Sequence, residues 1–347
     1  MMLTEISGSS ERDLLHRGQY AGQQRRRPTH WDDVYRTKSQ PSERTPAVYW
    51  TQIQKRADVW RSVRERLRPV PFAMNGMVKL HWERFGEGPA VLLIAGQGMT
   101  VNGWSATIPV LAPSFRVIAF DNRDTGRSSR LGWPYSAARM ADDAVAVLDA
   151  AGVQRAHVYG ISLGSLVAQE VALGHPDRVR SLVLGASSAG GFAAYKPPAA
   201  SFAQTFLVRA GTMGPEEAAW ASVPYTYAEK TRRMHPERIV SDISHRVSSP
   251  PEPLAYLHQA AVVAAHDAYE RLNQMAVPTL VVHGEQDVFV PPANALVLAE
   301  RIPGSQLRLW PDAGHMYTVD EPRADREIAR FLLHHSALQP APDVAPG

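Results

Sequence analysis

The sequence predicts an α/β fold built on a mostly parallel central sheet, and three observations lead there. After Pro71 short apolar runs alternate with helical stretches, the rhythm of strands joined by crossover helices. The chain is 347 residues long with 44% hydrophobic content, enough to bury an ordinary core. One run, "VYGISLGSLVAQEVA", reads as a strand, a tight turn and a helix with no residues to spare.

The elements follow in chain order. Residues 1–45 are polar, with scattered Gly, Pro and Ser and no sustained period, and are expected to form a flexible extension. Residues 46–70 place Trp50, Ile53, Ala57 and Trp60, with Val59, Val63 and Leu67 on an adjoining track, at helical spacing before Pro69. This predicts an amphipathic helix that packs on the main domain. Strands are expected at 78–86, 90–96, 115–121, 156–161, 181–187, 279–284 and 306–311, with helices such as "AARMADDAVAVLDAAG" and "GSLVAQEVALGHP" between them. Residues 71–187 and 278–336 would form the core domain.

One connection breaks the rhythm. Residues 188–277 contain helical and Pro-punctuated segments and no strand pattern, far longer than an ordinary connection, so they predict an inserted helical cap. Its aromatic and Met side chains would fill its own core and line an apolar pocket. Residues 337–347 are expected to be a disordered tail.

Charge and cysteine content exclude several classes. The net charge is +3, but residues 1–70 carry 14 Lys and Arg against 8 Asp and Glu, a net +6, which leaves the remainder at −3. The basicity belongs to the N-terminal arm, so no nucleic-acid partner is expected. With no cysteine, disulfides, thiolate metal sites and a Cys nucleophile are excluded. No apolar run reaches membrane-span length and the first residues lack a secretory h-region, which predicts a cytoplasmic protein without membrane attachment. The histidines show neither H-x-x-x-H nor H-E-x-x-H spacing, so neither a metal nor any other cofactor is expected.

The chemistry concentrates in three loops. Gly160-Ile161-Ser162-Leu163-Gly164 is a G-x-S-x-G sequence directly after a strand and before a helix, the setting of a nucleophile elbow. A serine hydroxyl needs a base, and the base needs an orienting acid. Asp287 in "VVHGEQDVFVPP" and His315 in "WPDAGHMYTVDEP" follow in the order Ser, acid, His, each just past a strand. Glu285 and, more distantly, Asp312 compete with Asp287 for the acid role; strand alternation points Glu285 away.

These motifs together resemble the α/β-hydrolase superfamily over about residues 71–335. Within it, "FDNRDTGRSS" and the stretches around Ser162 and Asp287 look most like capped serine esterases of the aclacinomycin methylesterase type. The usual D-x-R-G-x-G-x-S pattern has Asp124 in place of its first Gly, and residues 121–128 are expected to form a structural turn. The resemblance implies an oxyanion hole after the strand at 90–96, built from the backbone N–H groups of Gln97 and Leu163. The usual His-Gly-x wording there is Ala95-Gly96-Gln97 in this chain.

The expected function is hydrolysis of a carboxylic ester or lactone of a bulky apolar small molecule through Ser162, His315, Asp287 and an acyl-enzyme. Substrate contacts are expected from Gly96, Trp104, Phe192, Trp220, Tyr256 and Met316. Two alternatives stand beside this reading: an acyl-transferring cyclase or lactone-forming enzyme using the same triad, and a non-catalytic ligand-binding protein on the same fold. Ser at position 162 disfavours the Asp-nucleophile dehalogenase and epoxide hydrolase branches. The N-terminal helix or the cap offers a contact for a homo-oligomer.

Overall fold

The computed structural model describes residues 72–130, 132, 134–197 and 213–337. The expectations for residues 1–45 and 46–70, and for the tail beyond Ala337, lie outside the described residues.

Seven strands form the main sheet, in the order β3-β5-β4-β6-β7-β8-β9. They are β3 (Trp82–Phe85), β4 (Ala90–Ile94), β5 (Arg116–Phe120), β6 (Ala156–Ile161), β7 (Val179–Gly185), β8 (Thr279–Gly284) and β9 (Gln306–Trp310). Only the β3–β5 pair is antiparallel. A separate antiparallel hairpin joins β1 (Ala73–Asn75) to β2 (Val78–Leu80). The strand expected at 78–86 is therefore two. It breaks at His81 because β2 pairs back on β1 while β3 joins the main sheet through β5.

Strands β6, β7 and β8 are buried along their whole length, as expected of central parallel strands covered on both faces. That burial is why they read in sequence as unbroken apolar runs. The edge strand β9 exposes its first three residues. One face of the sheet packs on α2 (Ala137–Ala150) and α3 (Leu163–Gly174), with Leu92, Ile94, Val158, Leu182 and Val281 meeting Ala144, Val147, Val167 and Val171. The other face packs on α1 (Ile108–Leu111) and the C-terminal helix, through Val91, Leu93, Tyr159 and Val183 against Leu111, Ile328 and Leu332.

The strand order reverses beside β4: the chain runs outward from β4 to β5, then returns to β6 on the other side. In open α/β sheets such a switch point opens a crevice at the carboxyl ends of the strands, where ligands bind. Here the crevice lies between the turn after β4, which holds Gly96-Gln97-Gly98, and the turn after β6, which holds Ser162.

Between β7 and β8 the described residues form α4 (Pro215–Ala221), α5 (Val223–Thr226), α6 (Glu229–Met234), α7 (Pro236–Val247) and α8 (Pro253–Ala265). The only pairing there among the described residues is an isolated bridge between Gly190 and Asp267. After β8 come α9 (Ala293–Arg301), α10 (Tyr317–Asp320) and α11 (Arg323–Ala337), so helix continues to the first residue of the expected tail. No described helix is long and apolar enough to cross a membrane.

Candidate active site

Ser162 stands at the N-cap position of α3 with φ 54 and ψ −123, one of three non-glycine residues with positive φ among the described residues. L residues avoid this region, and such strain persists only where neighbours enforce it. The two glycines of the motif allow the turn by close approach. A Cβ on Gly160 would stand 2.1 Å from the Gly164 carbonyl oxygen, and one on Gly164 would stand 1.9 Å from that of Ile94. The Ser162 N–H donates to the Gly185 carbonyl at 2.9 Å, tying the turn to β7. Below it, buried Ser165 Oγ lies 2.5 Å from the Ser162 carbonyl and 2.6 Å from Ser187 Oγ, which in turn accepts from Gln169 Nε2 at 2.9 Å. The elbow is thus braced from strand and helix alike, while Ser162 itself stays half-buried.

Asp287 and His315 are in direct contact: His315 Nδ1 lies 2.7 Å from Asp287 Oδ2. Asp287 follows β8, His315 follows β9, and Ser162 follows β6, so all three stand at the carboxyl edge of the parallel strands. The competing acids are elsewhere. Glu285 is exposed, and Asp312 is exposed and paired with Lys230 at 2.9 Å.

The Asp287 carboxylate is fully enclosed and heavily solvated by the protein. Its Oδ1 accepts the N–H groups of Phe289 and Val290, both at 2.9 Å. Its Oδ2 faces His315 and also His283 Nε2, the latter at 3.2 Å. Burial alone would raise the pKa of this carboxyl, but the charge of His315 and hydrogen bonds from His283 and His315 outweigh it and hold it well below the usual carboxylate range. Asp287 is therefore ionised, as a partner that fixes an imidazole tautomer must be. Sequence reasoning missed His283. Its signal was available in the i, i+4 spacing of His283 and Asp287 across the "HGEQD" turn.

The loops carrying acid and base are locked to each other. Gln286 N–H donates to the Ala313 carbonyl at 2.9 Å, and a Cβ on Gly284 would fall 2.3 Å from the Gly314 oxygen. Asp320 Oδ2 accepts from Gly314 N–H at 2.7 Å and from Ala228 N–H at 3.0 Å, pinning the His315 loop to the inserted helices. Phe289 meets the His315 ring edge-on, with centroids 5.4 Å apart.

The Gly96-Gln97-Gly98 turn lies against the elbow: a Cβ on Gly96 would stand 3.4 Å from Ser162 Cβ. Gly98 adopts φ 69, and a side chain there would collide with Tyr256 and Pro251. Neither the Gln97 nor the Leu163 backbone N–H has an acceptor among the described residues. The Gln97 side chain is occupied, donating Nε2 to the Tyr256 carbonyl at 3.0 Å.

A cavity of about 150 Å³ adjoins this turn, lined by Gln97, Gly98, Met99, Met213, Ala219 and Tyr256 among others. Of the residues expected to contact substrate, Tyr256 lines this cavity and Gly96 neighbours Ser162, while the other four do not line it. Trp104 is buried in the core with its ring 5.0 Å from that of Tyr159, because its short 3-10 turn directs it beneath the sheet. Met316 is likewise buried in the core. Phe192 is 80% exposed and packs edge-on to Tyr269, and Trp220 points to solvent from α4 while Ala218 and Ala219 take the cavity side.

The turn at 121–128 is structural, as expected, and Asp124 has a task there. Asp121 accepts the N–H groups of Val101 and Arg127, while Asp124, at φ 67, lies 3.1 Å through Oδ2 from His258 Nδ1 on α8. Among the described residues, no group of three or more His, Cys, Asp or Glu side chains is arranged to hold a metal ion.

A strained serine on an elbow beside the sheet's switch point, with an Asp–His pair on the neighbouring loops, is the arrangement of the α/β hydrolases. The model of the alpha/beta hydrolase fold family matches residues 89–322, and the chain belongs to that family. It is similar to the protein named "Putative carbamate hydrolase RutD" of Azorhizobium caulinodans, with 32% identity over 264 residues, 75% of this chain and 96% of the relative. Among solved structures, it is similar to a thermophilic esterase from Thermogutta terrifontis, at 28% identity and TM-score 0.65, covering 76% of this chain and 97% of that one. It is also similar to Est816, described as an N-acyl homoserine lactone degrading enzyme, at 31% identity and TM-score 0.63, with 75% and 99% covered.

Proposed function

We propose that the chain is a serine hydrolase of carboxylic esters or lactones of apolar small molecules. The observation that carries this reading is the Asp287–His315 contact at 2.7 Å on loops that share a sheet edge with the strained Ser162. In the proposed cycle His315 Nε2 takes the Ser162 hydroxyl proton as Oγ attacks the substrate carbonyl carbon. The carbonyl oxygen becomes an oxyanion facing the N–H groups of Gln97 and Leu163, the second of them at a helix N-terminus. The C–O bond to the alcohol then breaks, and the proton held on His315 goes to the departing oxygen. Water, deprotonated by His315, attacks the acyl-enzyme and releases the acid and free Ser162.

The substrate class rests on the cavity beside Gln97, whose walls include Met99, Met213, Ala218, Ala219, Val247 and Pro251 and favour an apolar group. The relatives widen the carbonyl chemistry to be tried, since one is named for carbamates, one for esters and one for acyl homoserine lactones. The same nucleophile and hole serve all three, because each passes through a tetrahedral oxyanion. A panel of matched ester, lactone and carbamate substrates, with products identified by mass spectrometry and Ser162→Ala as control, tests the proposal. Ester or lactone turnover by the wild type that is lost in the variant supports it. Turnover of carbamates alone would overturn the substrate class, and equal turnover by both proteins would overturn the nucleophile.

A further inference from the structure

We propose that Gln259, on α8 of the inserted helices, is the positioning residue of the oxyanion turn, so that the hole is set in place only when α8 is docked. This rests on the hydrolase reading above. Gln259 is fully buried, and both ends of its amide are engaged with core loops rather than with its own helix. Its Oε1 accepts the Gly98 N–H at 2.8 Å, and its Nε2 donates to the Arg123 carbonyl at 3.2 Å. The first contact fixes the peptide that follows Gln97. The second anchors the amide to the turn after β5, which is itself tied to the elbow side of the sheet by Asn122 Nδ2 donating to the Ala95 carbonyl at 2.9 Å.

The chemistry of the site requires such a constraint. A hole made of backbone N–H groups stabilises charge only while they point at it, and the two glycines Gly96 and Gly98 leave the turn with wide backbone freedom. Gln97 cannot orient itself by burial, since it is only half-buried. Two further contacts clamp the same helix to the same loops: Gln97 Nε2 to the Tyr256 carbonyl, and His258 to Asp124. Of the three, only Gln259 binds the backbone of the turn from within the interior. An amide is suited to this place because it supplies one acceptor and one donor without burying a charge.

The test compares wild type, Gln259→Met and Gln259→Glu on a p-nitrophenyl ester, and measures their affinity for a trifluoromethyl ketone that forms a tetrahedral adduct on the nucleophile. Gln259→Met, of similar length, should lower kcat by about tenfold or more while changing KM by less than about threefold, with ketone affinity falling alongside kcat. Gln259→Glu keeps the acceptor for Gly98 and should retain more of kcat than the Met variant. A folded Met variant with kcat within twofold of wild type, or a loss confined to KM, overturns the role. Should the variants fail to fold, amide hydrogen exchange in the wild type decides: Gly98 should be protected, and exchange as fast as an open loop overturns the proposal. Covalent labelling of wild-type Ser162 by a fluorophosphonate separates the two readings. If it fails, the hydrolase reading fails; if it succeeds and kcat is indifferent to position 259, only the positioning role does.

Discussion

His283 and His315 share one oxygen of Asp287, His315 Nδ1 at 2.7 Å and His283 Nε2 at 3.2 Å. The two histidines are not equivalent. His283 is fully buried and its Nε2 also donates to the Val290 carbonyl at 2.8 Å, so it holds a fixed orientation, whereas His315 is partly open toward the crevice. The buried ring fixes the carboxylate, and in the proposed cycle the open ring draws on it.

Replacing His283 should therefore impair catalysis without removing it. His283→Asn shortens the side chain and takes a donor away from Asp287, with an expected fall in kcat of about tenfold, small beside the thousandfold or greater loss from Asp287→Ala. Steady-state kinetics on both variants, with folding checked by circular dichroism, makes the comparison. Equal losses would mean that His283 is as necessary as the acid itself.

The Gly96-Gln97-Gly98 turn, proposed to hold the oxyanion, carries a second expectation. Gln97→Ala removes a side chain engaged with the Tyr256 carbonyl and keeps the backbone donor, so the rate should fall by less than about tenfold. Gln97→Pro removes the N–H itself, and a folded variant should lose about a hundredfold or more in kcat. Pro and Ala variants with the same rate would take residue 97 out of the hole.

Gly164 has no room for a side chain, since an added Cβ would stand 1.9 Å from the Ile94 oxygen and 2.7 Å from that of Ala95, both backbone atoms that cannot swing aside. Gly164→Ala should cost on the order of 3 kcal/mol of stability or displace the elbow, with a Tm many degrees lower. Unchanged Tm and kcat would show that the elbow yields easily.

Beneath the site, Asp325 is enclosed with Thr107, Tyr159 and Tyr317, its Oδ2 accepting from Thr107 Oγ1 at 2.8 Å. Burial pushes its pKa up to about 7, against hydrogen bonds from Thr107 and Tyr159 that favour the charged form. The folded protein thus holds this proton more tightly than the unfolded chain. The stabilisation it brings is complete below about pH 4 and is lost as pH rises toward 7, with an upper bound on the order of 4 kcal/mol. Asp325→Asn cannot ionise, so its Tm relative to wild type should rise between pH 5 and pH 8. A constant difference across that range would mean that Asp325 does not change charge in the folded protein.

The fold was legible where burial writes itself into composition. Strands β6 and β8 match their expected bounds because both are buried along their length and stop abruptly at a motif turn. The break at His81 was not legible, because it depends on pairing with β1 at one end and β5 at the other. At the site, the elbow at Ser162 and the pairing of Asp287 with His315 were legible from local motifs, and of the three acids that spacing left open only Asp287 is buried and meets His315. Gln259 and the Asp124–His258 contact were not, since each joins segments more than a hundred residues apart. The positions of Trp104, Met316, Phe192 and Trp220, which do not line the cavity beside Gln97, were not legible either. Their residue type suits a pocket, but the direction of a side chain is set by packing that composition does not encode.

The central claim is that Ser162 carries the acyl group, and an acid-quenched reaction with an activated ester measures it most directly. Intact-protein mass spectrometry within the first turnovers should find the wild type heavier by one acyl group, with peptide mapping placing it on Ser162 and no adduct in Ser162→Ala. An adduct on another residue, or one that survives in the Ala variant, would contradict the account.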